Sequence, residues 1–304
     1  MAPSDETVVI EVLRPATELA DLEALVAEAN WNQSAADWRT FLDLGTVYAV
    51  RAADRGPAAA ADGGAAGGRI IATAATLPYG GRFAWISMVL VAVAFRRRGL
   101  ASRLMRRCID DLKTAALVPI LDATPAGRAV YSRLGFADSW TYRRLETRER
   151  APSFAPLRPD GTTVRPIADA DWPRLCAYDA AAFGAERPLL LARLKQRLPG
   201  AALVAERGGR LVGFLLGRDG RTAAQFGPLI AEDDAAACAL LAGGLGAVSG
   251  PLYVDLADAK PQVGDWVAAS GFAVQRPFTR MVLGSPTRFD DGRRTFAVAG
   301  PELG

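Results

Sequence analysis

The 304 residues contain no histidine. That excludes the Ser-His-Asp and Cys-His nucleophilic mechanisms and histidine-ligated zinc. A general base in this chain has to be a carboxylate, a tyrosine, a lysine, a cysteine or a chain of waters. Cysteine is scarce: Cys108, Cys176 and Cys238 are odd in number and far apart, which suits neither a disulfide framework nor a CxxC metal site. They read as small buried apolar side chains. Lysine occurs only at Lys113, Lys195 and Lys260, so nearly all positive charge is arginine. That skew accompanies an alanine excess, fits codon usage, and carries no functional weight. Long apolar runs are missing. The longest, MVLVAVAF, is far below the roughly 20 residues that span a bilayer. The beginning, MAPSDETVVI, has neither the basic region nor the apolar stretch of a secretion signal, so the expectation is a soluble, cytoplasmic protein without a membrane partner. A net charge of +3 argues against a nucleic-acid surface spread over the whole protein.

Half of the residues are apolar, which is ample for real cores, and the length predicts about two domains. VVIEVLRP and TVYAVRA alternate as strands, with helical periodicity at Ala16–Ala29 and Asp37–Leu44 between them. AADRGPAAAADGGAAGG reads as a flexible connection. RIIATAATLPY and FAWISMVLVAV are apolar strands, followed by a helix of about 15 residues. VPILDAT is a short buried strand, PAGRAVYSRLGF a short helix with proline in its first turn, and SWTYRRLETR a last strand.

ERAPSFAPLRPDG (149–161) has three prolines and no periodicity, and is the expected boundary between domains at 1–148 and 162–304. The programme then restarts. TTVRPI is a strand, DADWPRLCAYDAAAFG and the segment near Arg187–Leu198 are helices, and AALVAERGGRLVGFLLGRDG is a hairpin turning on GG. TAAQFGPLIA, a helix over Asp233–Leu245, PLYVDLA, a helix into SGFAVQ and a closing strand FTRMVLG follow. LVAVAF parallels FGPLIA, and YSRLGF parallels VAASGF. The reading is two copies of one α+β unit, with the chemistry retained in the first.

The stretch AFRRRGLASRLMRRC places three arginines and a glycine between a buried strand and a helix. A helix N-terminus offers unpaired N–H groups and the positive end of a dipole, so this turn suits a phosphate or pyrophosphate. A Walker loop would need lysine and then Ser/Thr after its last glycine, but Leu100 follows Gly99. A dinucleotide fingerprint would need three glycines, and nucleic-acid binding would want aromatic platforms or a longer basic surface.

The strand ending Val89-Leu90-Val91, the turn Arg96-x-x-Gly99-x-Ala101 and the later Tyr131-x-x-x-Gly135-Phe136 resemble, in order and spacing, the GCN5-related N-acetyltransferase (GNAT) family, from about Val8 to Leu145. DATPAGRAVYSRLGF and FTRMVLG resemble a bacterial subgroup with two such domains in tandem. The resemblance implies a mixed α/β (α+β) fold of two tandem units, each a mostly antiparallel twisted sheet with a central splayed parallel pair and flanking helices. It implies acetyl-CoA, or another acyl-CoA, as the cofactor. The pyrophosphate would be held by backbone N–H groups over Arg96, Arg97, Arg98, Gly99, Leu100, Ala101 and Ser102. The pantetheine arm would pair with the strand Met88, Val89, Leu90 and Val91, and the amide near Leu90 would meet the thioester carbonyl. Thr124 stands where the family often has asparagine, and is a further candidate for cofactor contact.

Acyl transfer to an amine needs a base, a stabilised oxyanion and a proton for the leaving thiolate. Tyr131 is the candidate proton donor, because a phenol stays protonated at neutral pH. Its alternative is a packed ring. Asp122 is a candidate base, or else the cap of the helix beginning at Pro125. Asn30, Trp31 and Asn32 lie in the family's acceptor segment, or simply form a turn before a Ser34/Asp37 cap. Asp179 and Glu186 either face the acceptor or join two helices. The second half has Ile230-Ala231-Glu232-Asp233-Asp234 at the place of the arginines and Val267 at the place of Tyr131, so it reads as degenerate for cofactor and as a wall of the acceptor site. The function implied is direct acyl transfer to a small-molecule or peptide amine. A catalytically silent acyl-CoA sensor or scaffold is the alternative, and both a monomer and a homodimer are compatible.

Overall fold

The computed structural model describes residues 8–17, 19–52, 68–148, 161–285 and 287–304. Most of the expected flexible connection and nearly all of the expected interdomain linker lie outside the described residues. The chain forms two compact units: Met1–Pro78 with Ala84–Leu117, and Tyr79–Phe83 with Val118–Gly304.

The first unit orders its strands β1 (Glu11–Val12), β2 (Thr46–Arg51), β3 (Ile70–Tyr79) and β4 (Phe83–Val91) side by side. β1 is much shorter than the alternation of VVIEVLRP predicts. Helix α1 (Ala20–Glu28) buries Leu22, Leu25 and Val26. It ends in a Schellman motif: Asn30 takes a left-handed φ of 54°, Asn30 N–H donates to Ala27 O, and Trp31 N–H donates to Val26 O. Helix α2 (Ala35–Leu44) opens with a capping box in which Ser34 N–H donates to Asp37 Oδ2 at 2.8 Å. Helix α3 (Leu100–Thr114) buries Leu100, Leu104, Met105, Cys108, Ile109 and Leu112, one stripe at helical spacing, while Arg106 and Arg107 are exposed.

The second unit contains β5 (Val118–Ala123), α4 (Pro125–Arg133), β6 (Phe136–Thr147), β7 (Thr162–Pro166), α5 (Trp172–Phe183), α6 (Pro188–Arg197), β8 (Leu203–Arg207), β9 (Arg210–Arg218) and β10 (Ala224–Ala231). It continues through α7 (Asp234–Ala247), β11 (Leu252–Ala257), α8 (Pro261–Ala269), β12 (Ala273–Leu283) and β13 (Thr295–Ala297). Its sheet runs β5-β12-β6-β11-β13-β10-β9-β8-β7. The β10–β11 pair is parallel, and the pairs on either side are antiparallel. The helices α4 and α8 end alike: Gly135 and Gly271 both follow the last turn at positive φ, which gives the echo of YSRLGF in VAASGF a structural meaning.

The order of the middle four strands differs from expectation. FTRMVLG does not close the sheet of its own half. β12 lies between β5 and β6, and β6 lies between β12 and β11. Each half therefore contributes the strand beside the other half's central strand. The physical reason is visible in two mirrored buried ion pairs. On β5–β12, Arg280 makes two bonds of 2.9 Å to Asp122, whose side chain is 0% exposed. On β6–β11, Arg144 bonds Asp255 at 2.8 and 2.7 Å, with exposures of 2% and 0%. Both arginines lie two residues after an aromatic ring, and those rings, Tyr142 and Phe278, are register partners stacked at 5.1 Å and 15°. Directly opposed residues share a sheet face, so Asp122, Arg280, Trp140, Tyr142, Phe278, Arg144 and Asp255 form one belt.

Asp255 also accepts from Gln225 Nε2 at 2.7 Å, and Gln225 Oε1 accepts from Arg218, itself paired with buried Glu302. Removing one member of such a pair leaves a buried charge uncompensated, at about 3–5 kcal/mol. Asp255→Ala is therefore expected to lower the free energy of unfolding by about that amount. Arg144→Leu/Asp255→Leu together should lose much less, and urea unfolding of the three proteins measures both.

Candidate active site

Within strand β4, Met88 takes a left-handed φ of +52°. A left-handed residue within a strand turns the following peptide planes away from simple alternation. Thr73 on β3, 0% exposed, donates its hydroxyl to the Met88 carbonyl at 2.9 Å. Met88 and Leu90 are buried, whereas Val89 and Val91 are partly exposed.

Beyond β4 the chain makes a 3-10 turn over Val93–Phe95, with Val93 N–H donating to Glu28 Oε1 at 2.8 Å. Arg96 is extended and Arg97 is left-handed at φ +62°. Gly99, at φ +77°, is the residue before α3, and no side chain caps that helix. The first helical bond runs from Arg103 N–H to Gly99 O at 3.0 Å, so the N–H groups of Leu100, Ala101 and Ser102 lie ahead of the ladder. A Cβ placed on Gly99 would meet no heavy atom within 4 Å, so the approach to the turn is open. Arg96 donates Nε to Val91 O at 3.1 Å. Arg98 donates to Ala94 O at 3.0 Å and stacks on Phe95. These bonds brace the turn from behind and leave the exposed arginines at its rim. Left-handed residues, an uncapped helix start and fixed positive charge together make an anion nest. The residues present fit a pyrophosphate.

In the second unit, Thr124 is the N-cap of α4, and its hydroxyl accepts from Gly127 N–H at 3.3 Å. Asp122 does not cap the helix. With Pro125 at the first helical position the preceding residue is the cap, and the Asp122 carboxylate is held by Arg280. Tyr131 lies on α4 with its ring edge-on to Phe136 at 6.3 Å. A Cβ on Gly127 would stand 2.9 Å from its ring. Burial raises its pKa above the usual value of a phenol.

The remaining candidates separate. Asn30 and Trp31 form the helix terminus described above, and Asn32 is buried. Asp179 is 0% exposed and bonds Arg187 twice at 2.9 Å. Arg187 in turn stacks on Phe183 and donates to Gly304 O at 3.1 Å. Glu186, next to Arg187, points outward. The structure thus splits this pair into a buried carboxylate and an exposed one.

The corresponding places of the second half are closed. Asp233 caps α7 by accepting from Ala236 N–H at 2.9 Å, Arg207 pairs with Asp233, and Arg210 pairs with Glu232. The carboxylates fill the helix start themselves and are neutralised by the two arginines. Val267 is buried in α8. Strand β13, which periodicity did not reveal in so short a segment, lies between β10 and β11 where those parallel strands part, pairing with Leu229, Ile230 and Leu256. Val298 N–H continues the insertion by donating to Asp255 O at 3.1 Å. The approach is so close that a Cβ on Gly227 would lie 1.9 Å from Val298 O. Thr73, Arg280 and Arg144 are the residues that sequence reasoning missed. The repeated pattern aromatic-x-arginine in the two closing strands was the available signal for the last two.

Among the described residues, no helix is long and apolar enough to cross a membrane.

Residues 21–136 match the profile of the acetyltransferase (GNAT) family, and residues 175–297 that of an acetyltransferase (GNAT) domain. Over 192 residues the chain is 26% identical to the uncharacterized N-acetyltransferase YitH of Bacillus subtilis, covering 63% of this chain and 67% of that protein. Among solved structures, a candidate acetyltransferase from Pyrococcus horikoshii superposes with a TM-score of 0.76 at 18% identity, covering 98% of this chain and 96% of that one. A tandem GNAT protein from the clavulanic acid biosynthesis pathway superposes at 0.64 with 15% identity, covering 92% and 100%.

The acid behaviour of the closed helix start follows from its geometry. Bonds from Arg207 and the Ala236 N–H hold the Asp233 carboxyl below the usual carboxylate range, against the opposing effect of burial. A depressed pKa adds stability above the unfolded value of about 4, and this is lost as pH falls through the folded value. The stability margin of wild type over Asp233→Asn should therefore be full at pH 6 and shrink on acidification below about pH 4. Chemical unfolding at a series of pH values reads this directly.

Proposed function

We propose, from the premise that the chain belongs to the GCN5-related N-acetyltransferase family, that it transfers an acyl group from acyl-CoA, with acetyl-CoA the first choice, to an amine by direct attack. The observation that carries this is the open, uncapped turn at Gly99 that follows strand β4 with its left-handed Met88. The backbone N–H groups from Arg97 to Ser102 would hold the pyrophosphate, and Met88–Val91 the pantetheine arm. When bound, the cofactor supplies an activated acyl carbonyl and a thiolate leaving group.

The chain's own residues do the rest. The N–H groups near Leu90 stabilise the negative charge that develops on the carbonyl oxygen. Tyr131 is the proton donor, and its raised pKa keeps the phenol protonated until a stronger base forms beside it. Asp122 is reassigned from base to structural anchor, since both its oxygens engage Arg280. The amine's proton then leaves to water or to a group of the acceptor complex. Residues 1–148 form the acyl-CoA repeat and 162–304 the degenerate one. The capped α7 and the inserted β13 support that asymmetry. The acceptor is a small-molecule or peptide amine, for which Trp31, Asn32 and Glu186 remain candidate contacts.

Calorimetric titration of acetyl-CoA should give about one site per chain. Gly99→Asp should abolish binding, and Gly99→Asn should retain much of it, because both side chains tolerate the left-handed turn and only the first adds negative charge. No binding to wild type would sink the assignment. Tyr131→Phe should lower amine-dependent release of free CoA by roughly 10²-fold or more while leaving acetyl-CoA affinity within about two-fold. Unchanged turnover would remove Tyr131 from the mechanism.

A further inference from the structure

Thr73 is fully buried in the middle of β3, among Ile70, Ile71, Ala72, Ala74 and Ala75. Packing at such a position is satisfied by valine, which has the same shape. The hydroxyl adds one thing: it fixes the direction of the Met88 carbonyl, at 2.9 Å. Met88 is also the left-handed residue of β4, a conformation costly for any side chain with a Cβ. The peptide planes after Met88 depend on how that residue is held. Val89 and Leu90 carry the next N–H groups along the strand.

We propose that Thr73 is a positioning residue for acyl transfer. By clamping the Met88 carbonyl it fixes that left-handed residue, and thereby aims the N–H groups of Val89 and Leu90 at the carbonyl oxygen of the bound thioester. This rests on the acyl-CoA assignment above. Donors placed in advance where charge develops stabilise it without reorganisation, so a clamp acting through them affects the acyl carbonyl and spares the rest of the cofactor.

The test compares acetyl-CoA with CoA, which lacks the acyl carbonyl, by calorimetry on wild type, Thr73→Val and Thr73→Ser. Thr73→Val is expected to weaken acetyl-CoA about 3- to 10-fold relative to CoA, the scale of one hydrogen bond. Thr73→Ser, which keeps the hydroxyl, should restore the wild-type ratio. Equal weakening of both ligands, or no change in the ratio, overturns the role while leaving the cofactor assignment intact. Flat wild-type titrations with both ligands overturn the assignment itself and the role with it. A second readout needs no folded valine variant. With acetyl-CoA carrying ¹³C at the thioester carbon, the carbonyl stretch should move to lower wavenumber on binding to wild type and to Thr73→Ser. An unshifted stretch overturns the proposal.

Discussion

The structure of the second unit depends on two mirrored salt bridges at the exchange of β6 and β12. Asp122 with Arg280 and Asp255 with Arg144 each join a strand of one half to a strand of the other. A buried pair of this kind contributes little net stability compared with a well-packed apolar pair. Its value lies in register. A slip of one residue in either ladder would put an arginine on the opposite face and leave a buried aspartate alone. The stacked Tyr142 and Phe278 sit between the two pairs, so one belt of seven side chains fixes the alignment of four strands.

That belt also explains why a half without an open anion nest is retained. β5 ends at Ala123, immediately before Thr124, the cap that starts the helix carrying Tyr131. The strand beside β5 is β12, which comes from the far end of the chain. Removing the second half would expose an edge of β5 and leave the Asp122 carboxylate without Arg280. The second half therefore acts on the first through sheet completion, whatever else it contacts.

Much of this was legible in the sequence, and the boundary of legibility follows chain separation. The buried stripe of α3, the Ser34/Asp37 capping box, the proline-initiated helices and the glycine-terminated ones all obey rules that span a few residues. The open glycine turn before α3 was legible as a string, because its geometry is local. Strand order was not: Arg280 finds Asp122 from 158 residues away, and no periodicity encodes a partner at that distance. Asp179 was misleading for a milder reason. Its partner Arg187 lies eight residues on, across a turn whose direction the sequence leaves open. The Thr124 cap was within reach of a local rule, since proline at the first helical position makes its predecessor the cap.

The contrast between the two helix starts gives the physical basis of the asymmetry. Both follow a buried strand, and both carry the partial positive charge of free N–H groups. At α7 the chain supplies its own anion: Asp233 caps the helix, and Arg207 and Arg210 neutralise the carboxylates around it. At α3 the arginines are present and the carboxylate is not, and Gly99 leaves the approach clear. β13 then occupies the gap where β10 and β11 part, using the backbone pairing that an extended ligand would use. One repeat thus satisfies the polar groups of its helix start from within, while the other leaves its helix start uncapped and open at Gly99. The same fold carries a self-capped or an open helix start according to whether the chain itself provides that negative charge.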